Sequence, residues 1–544
     1  MIGLNKKNMA KLFAAAAAVG TAAAATAVIV NRRKKKQQHE EMKRLPKGKN
    51  IYFIGNSVSA MLGAAYLIHD FGFRGENIHI YGKYALDGCG NSEDGLVCYD
   101  TSFIANEYSE CLFDVLKNVP SGTIGDISVK TEIENYNNAY PLSATGRLAD
   151  ADHDYVSGAD KKQLIRLLKT NPDPTMTVGD LFGADFFDSD FYALWQSLLG
   201  LARDTSAAEF GKMLRELLFL SPAAETCEGV LDTCLNQYES IELPLREYLK
   251  SCGVEFCEDV VVTDLEFDEE NKNISAFHIV DRETRKIFYM NQGDLCIMTP
   301  CTVYEGMTEG GFDMPAPVYS GEKLSLWKKL NEKQDGLGRP EALAEVPEIL
   351  FTATLSKDIL SSRIFDMTLN SPGTLLTFKN SKWDLSIVCP MGQYFSQQKE
   401  DVFVIKGRIL NCAIEGDYAK KQAIHASGAE ILYELVGLLG LQDEWEEIRE
   451  SVVNVVPVLL PYGGSAAAAR NAEALPEMFP NNSKNFAIIG EFVKTDCARG
   501  GLEMEAAVAK QAIYGLFRKD PKLPKRKLPA FPRLRLNLKY GKQI

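Results

Sequence analysis

The sequence predicts an α/β fold built on a parallel βαβ sheet, with a helical lid set between the parts of that sheet. Three observations lead there. An apolar run at 51–54 breaks at a glycine and passes into a helical stretch and a second apolar run; three stretches between 161 and 220 have helical apolar spacing; and a late apolar run at 485–489 ends in Gly490.

Before the first strand, Leu12 to Val30 is nineteen residues of Ala, Val, Ile, Phe, Gly and Thr without a charge, the minimal length of a transmembrane helix. Arg32, Arg33, Lys34, Lys35 and Lys36 follow it. By the positive-inside rule this predicts a single N-terminal membrane anchor with the main body in the cytoplasm. A cleaved signal peptide and a shallow surface helix are the competing readings.

Ile51 to Ile54 is predicted as a buried strand, Gly55 to Ser59 as a tight turn, Ala60 to Asp70 as a helix and Asn77 to Tyr81 as a second strand, the opening of a dinucleotide-binding domain. Lys161–Thr170, Ser189–Ala202 and Ser206–Leu220 form the helical lid. Asp259–Phe267, Ser275–Asp281 and Lys286–Met290 have the pattern of a β-meander, and Asp294–Thr299 returns as a buried strand. Thr374–Lys379 and Trp383–Cys389 are a further strand pair before a long helix near Lys420–Leu439. Asn485 to Ile489 is expected to return to the first sheet, followed by an amphipathic helix over Gly501–Phe517. The chain divides accordingly into an anchor and basic linker (1–49), a first dinucleotide-binding part (50–150), the lid (151–250), the meander and return (251–300), a substrate domain (301–450), a closing dinucleotide-binding part (451–517) and a basic tail (518–544).

Composition narrows the class. With 544 residues, 46% hydrophobic and 24% charged, the chain has material for two or three cores, which excludes a disordered or disulfide-stapled class. Twelve cysteines without a CxxC pair and six scattered histidines suggest neither a zinc site nor a disulfide framework. His278 and His425 have no ligand partners at metal spacing, so no metal is predicted. Residues 1–49 hold twelve Lys or Arg against Glu40 and Glu41, and Arg518 to Ile544 hold ten against Asp520, around a body that is strongly acidic within a net charge of −13. Basic ends on an acidic body fit contact with an anionic membrane surface and not nucleic-acid binding through the core.

IYFIGN, AAYLIHD and GENIHIY within 51–81, ECLFDVLKNVP at 110–120, ADFFDSDFYALW at 184–195, LNQYES at 235–240, VPVLLPY at 456–462 and AIIGEF at 487–492 occur in one order. Together they resemble the oleate hydratase family, also called myosin-cross-reactive antigens, over roughly 50–518. The resemblance implies an FAD/NAD(P)-binding Rossmann-like two-domain flavoprotein fold with a helical lid, here preceded by an N-terminal transmembrane helix. It implies FAD as a structural or electrostatic cofactor and an unsaturated fatty acid as partner, with water added across the cis double bond of oleate to give 10-hydroxystearate. Homodimerisation stays open.

Carried over residue by residue, the resemblance implies cofactor contacts at Gly55, Ser57 and Ala60 in the phosphate turn and at Gly490 and Glu491. The turn departs from GxGxxG: Ser57 stands at the second glycine, which lets backbone approach a pyrophosphate, and Gly82 stands where an acid should hold the ribose. Ile104 aligns with the carboxylate credited with activating water, and Met213 with the tyrosine credited with protonating the alkene. Neither carries a proton, so the catalytic residues are unknown. Three readings stand: a hydratase or double-bond isomerase with substituted groups; a non-catalytic lipid-binding or scaffold protein; and another enzyme in which Asp100, Glu107 or Cys111 is recruited. Gly463, Gly464 and Ser465 are read as a flexible loop as readily as a cradle for a ligand.

Overall fold

The computed structural model describes residues 48–86, 90, 95–100, 104–105, 108–140, 146–149, 156–217, 230–318, 324–368, 373–390 and 392–524. The first strand, β1 (Ile51–Ile54), is IYFI and buried at all four positions, as a central parallel strand covered on both faces must be. It leads into α1 (Val58–Phe71), capped by Ser57 and ended by Gly72 in the left-handed region at φ 66°. The C-terminal cap closes with Gly72 N–H donating to Ile68 O and Phe73 N–H donating to Leu67 O. Next come β2 (Ile78–Tyr81), α2 (Glu110–Leu116), β3 (Glu255–Cys257), β4 (Leu295–Met298), β5 (Phe486–Ile488) and α3 (Leu502–Leu516).

These strands form one parallel sheet in the order β5-β4-β1-β2-β3. The late strand thus returns beside β4, with Cys296 opposite Phe486 and Met298 opposite Ile488. α3 packs on α1, where Gly63 and Ala509 leave room for Phe53. The helices put their N-termini at the carboxyl ends of the strands, where open α/β sheets bind ligands.

A second, seven-stranded sheet runs in the order 308–309, 452–460, 348–355, 403–409, 385–388, 375–378, 146–149. All neighbours are antiparallel except the last pair. Its third strand, Glu348–Leu355, is buried throughout. The meander is present as Val260–Phe267, Ile274–Asp281 and Thr284–Tyr289. Gly158–Leu167, Asp190–Leu199 and Ala207–Leu217 make the helical part, in which Trp195 stacks on Phe191 at 5.2 Å and meets Phe210 edge-on at 5.8 Å.

No helix among the described residues is long and apolar enough to cross a membrane. The longest of them, α3, has 15 residues, fewer than the about 20 that a hydrocarbon core of about 30 Å requires. The expected single N-terminal anchor, with a body held on its cytoplasmic side, is corrected on this point. Residues 12–30, which carried that expectation, lie outside the described residues, as does the tail from 525 onward.

Candidate functional site

The chain turns at the carboxyl end of β1 on Gly55, at φ 101°, and a Cβ there would stand 2.5 Å from the carbonyl oxygen of Thr299. Only glycine lets the ends of β1 and β4 approach in this way. At the end of β2, Gly82 has φ 111° and donates its N–H to Cys257 O at 3.1 Å. An acidic residue for a ribose would be strained in that conformation, so the backbone itself is set for glycine. Asn56 bridges the two turns, its Nδ2 donating to Gly82 O at 3.2 Å.

The first turn of α1 is where a dinucleotide pyrophosphate is held in this architecture, on amide donors and the positive end of the helix. Here the chain supplies its own acceptors. Ser57 Oγ accepts the Ala60 amide at 3.2 Å and lies 2.9 Å from Thr299 Oγ1. The Ser59 hydroxyl donates to the Glu505 carboxylate from α3.

Two more carboxyls share this crevice. Asn56, Ser57, Val58, Tyr84, Glu242, Tyr304, Glu491 and Glu505 are among the residues around a cavity of about 40 Å³. A cofactor site has several hundred. Burial pushes Glu242 up to about 8. Glu505 is also pushed to about 8, by burial first and then by the charges of Glu491 and Glu242, against the opposing Ser59 hydrogen bonds. Glu491 rises to about 7 through burial, opposed by the Val303 N–H that it accepts at 3.0 Å and by Arg499. Glu242 Oε2 and Asn56 Oδ1 are buried without a hydrogen-bond partner. The crevice therefore presents acceptors and acids, the reverse of what a pyrophosphate needs, and its residues do not fit a dinucleotide bound in the usual manner.

Of the cofactor residues expected from the sequence, Ser57 and Glu491 line this cavity, Gly55 and Gly490 both close on Thr299, and Ala60 is buried behind the turn. Glu242, Glu505, Asn56 and Thr299 were missed. An acid set in the apolar run of LEMEAAVA was the available sign for Glu505.

A sequence model of the MCRA family matches residues 48–514. The chain belongs to this family. It is 25% identical over 519 residues to an oleate hydratase of Streptococcus pyogenes serotype M49 (strain NZ131), covering 88% of each chain. It is 25% identical over 511 residues to a linoleate hydratase of Lactiplantibacillus plantarum, covering 81% of this chain and 88% of that one. An oxidoreductase structure from Methanosarcina mazei aligns with 86% of this chain and all of its own, at TM-score 0.45 and 11% identity.

The two positions matched to proton handling in this MCRA chain are both buried and apolar. Ile104 packs in the core around the parallel sheet, and Met213 packs in the core of the helical part. Glu107 lies outside the described residues, and Cys111 is a buried cysteine whose N–H donates to Glu503 at 3.0 Å. Asp100 is placed differently. Its carboxylate accepts the Tyr394 hydroxyl at 2.7 Å, Lys406 Nζ at 3.3 Å and the Gln237 amide at 3.2 Å. Lys406 also donates to the Tyr394 oxygen, and its ammonium sits 4.6 Å from the centre of that ring. Burial, then the charge of Asp100, hold the Tyr394 proton on firmly, while Asp100 keeps Lys406 charged against the cost of burial. The arrangement is a fixed ion pair with a protonated phenol on it.

Gly464 lines a separate cavity of about 540 Å³ with Ala202, Arg203, Val346, Asp384 and Leu410. Asp384 there is pushed up to about 6 by burial. His278 pairs with Glu266 at 2.6 Å, and no group of three or more His, Cys, Asp or Glu among the described residues is placed to hold a metal.

Proposed function

We propose that this MCRA-family protein binds unsaturated fatty acids without FAD in its dinucleotide crevice, so that hydration of the double bond at the family's rate is lost. The observation that carries this is the N-terminus of α1, whose Ser59 hydroxyl is taken by Glu505 and whose Ala60 amide is taken by Ser57. A pyrophosphate entering there finds the Ser59 hydroxyl and the Ala60 amide already bonded within the chain, and its buried charge is left without those donors. Family membership and the two hydratase relatives support the fatty-acid half of the reading. The expected result is a purified protein without visible flavin absorbance that binds oleate in a calorimetric titration. Stoichiometric flavin in the purified protein overturns the first half, and absence of oleate binding overturns the second.

One observation favours a second reading, in which other groups handle the proton. Tyr394 is held as a hydrogen-bond donor on Asp100, and Asp100 opens the segment that the resemblance matches to the family's catalytic loop. Oleate turnover by the unmutated chain, abolished in Tyr394→Phe, supports that reading over the first.

A further inference from the structure

We infer that Arg203 holds the carboxylate of a long-chain acid, in the cavity of about 540 Å³ where the helical part meets the second sheet. The inference rests on the fatty-acid half of the proposed function, and it names where the head of that ligand sits. The volume falls within the about 300–1,000 Å³ of small-molecule sites. Arg203 lines the cavity from the loop that leaves the helix Asp190–Leu199 at Gly200. That loop is pinned through its backbone, with the Gly179 N–H donating to Arg203 O at 2.8 Å and the Ala202 N–H donating to Thr205 Oγ1 at 2.8 Å. The guanidinium lies 4.0 Å from the centre of the Phe187 ring, a contact that fixes the group without using its N–H donors. Among the described residues that guanidinium makes no hydrogen bond and no ion pair.

Two other charged groups around the cavity are already engaged. Glu348 accepts Arg408 through Nε at 3.0 Å and Nη2 at 2.7 Å, and Lys382 pairs with Asp417 at 2.7 Å. Arg203 is thus the cation left for a ligand, and its planar fork of donors matches a carboxylate. Asp384, which burial pushes up to about 6, and exposed Asp204 are the remaining acids of the lining, and neither forms an ion pair with Arg203. Asp384 nevertheless acts on Arg203 by charge and competes with an incoming anion. Val346, Leu410, Ile414 and Ala468 give the same cavity an apolar wall, along which Ile414 is 48% exposed. An acid with a long aliphatic chain meets both the cation and that wall, and a short acid meets only the cation.

The test is calorimetric titration of the full chain with oleate, decanoate, 1-decanol as a neutral counterpart and butyrate as a carboxylate without the long chain. Decanoate is expected to bind at least tenfold tighter than either control, as a charged hydrogen bond and an apolar contact are each lost in one of them. Arg203→Gln is expected to abolish the preference for decanoate over 1-decanol while leaving 1-decanol affinity unchanged, which a general loosening of the fold does not do. Asp384→Asn keeps a residue type tolerated at its φ of 52° and removes the competing charge, so decanoate is expected to tighten at least threefold. On the unmutated chain, decanoate is expected to protect Arg203 from modification by phenylglyoxal, read by peptide mass mapping, so the inference stays open to refutation even if a variant fails to fold. Oleate binding with Arg203 unprotected, or with a preference for the acid that Arg203→Gln leaves intact, overturns the inference while the fatty-acid reading stands. Absence of oleate binding overturns both.

Discussion

Ser57 Oγ lies 2.9 Å from Thr299 Oγ1 and so ties the turn after β1 to the residue that follows β4. The side chain standing at the second glycine of the phosphate turn is a structural member of the crevice. It caps α1 and joins two strands. Ser57→Ala removes the cap and the tie together, which lowers stability by about 1–2 kcal/mol. A lower thermal midpoint than that of the unmutated protein checks this.

Restoring the glycine alone does not restore a flavin site, because Glu505 still occupies the Ser59 hydroxyl. Ser57→Gly is expected to leave FAD affinity unchanged. Ser57→Gly combined with Glu242→Gln and Glu505→Gln removes two buried acids and the Ser57 side chain, and is expected to tighten FAD binding at least tenfold by calorimetry. Equal affinity in the single and triple variants contradicts the role assigned to the carboxyls.

The same acids set a pH dependence. Glu242 and Glu505 at about 8, Glu491 at about 7 and Asp384 at about 6 all stand above their ordinary values of 4.5 or 3.8. Between those ordinary values and the raised ones the folded protein binds more protons than the unfolded chain, so stability falls as pH rises. His69, lowered by burial, opposes this near its ordinary value of 6.5, while Asp70 and Asp232, also raised by burial, act in the same sense as the four acids. The thermal midpoint is expected to fall from pH 5 to pH 8, and Glu505→Gln is expected to flatten that fall. A midpoint that rises over this range refutes the assignment.

Local pattern carried the parallel sheet well, because a strand buried on both faces has to be an apolar run: IYFI at β1 and the late run of β5 were both legible. The predicted helix over Lys420–Leu439 is shorter, Gly428–Leu438, with Ser427 and Glu430 forming a capping box that fixes its start. The centre of the second sheet was not legible. Glu348–Leu355 mixes Glu and Thr into its apolar residues, and Val452–Leu460 carries Pro457, a residue that argues against a sheet interior. Pro457 nevertheless sits opposite Phe351, and its carbonyl accepts the Gly310 N–H at 2.8 Å. The carboxyl crevice was hidden for another reason. Ser59 and Glu505 meet across 446 residues, a contact that no local periodicity encodes.

Asp100 and Lys406 bring the loop near residue 100 onto the second sheet, with side-chain exposures of 7% and 21%. Removing one partner leaves the other charge buried. Asp100→Asn and Lys406→Met are each expected to cost about 2–4 kcal/mol. The double variant is expected to cost less than their sum, since the second change removes the stranded charge. Strict additivity in denaturant unfolding of the four proteins shows instead that the two do not act as a pair.

The last expectation concerns oleate. Hydration requires a proton delivered to one alkene carbon and water deprotonated at the other, and the positions that the resemblance matches to those roles, Met213 and Ile104, are each packed in a core. No pH gives either side chain a transferable proton, and a missing acid or base costs roughly 10² to 10⁴ in rate. With the Ser59 hydroxyl and the Ala60 amide at the start of α1 also occupied, added FAD is not expected to compensate. The measurement is 10-hydroxystearate formed from oleate, with and without excess FAD, and the expected yield is at most about a hundredth of that from an active family member. Robust formation refutes this. The Asp100 to Tyr394 pair is then the first place to look, because Tyr394→Phe deletes the donated proton while keeping the ring beneath Lys406. Activity lost in Tyr394→Phe at unchanged thermal midpoint identifies the phenol as the replacement acid. Activity retained there sends the search to the residues around 101–107.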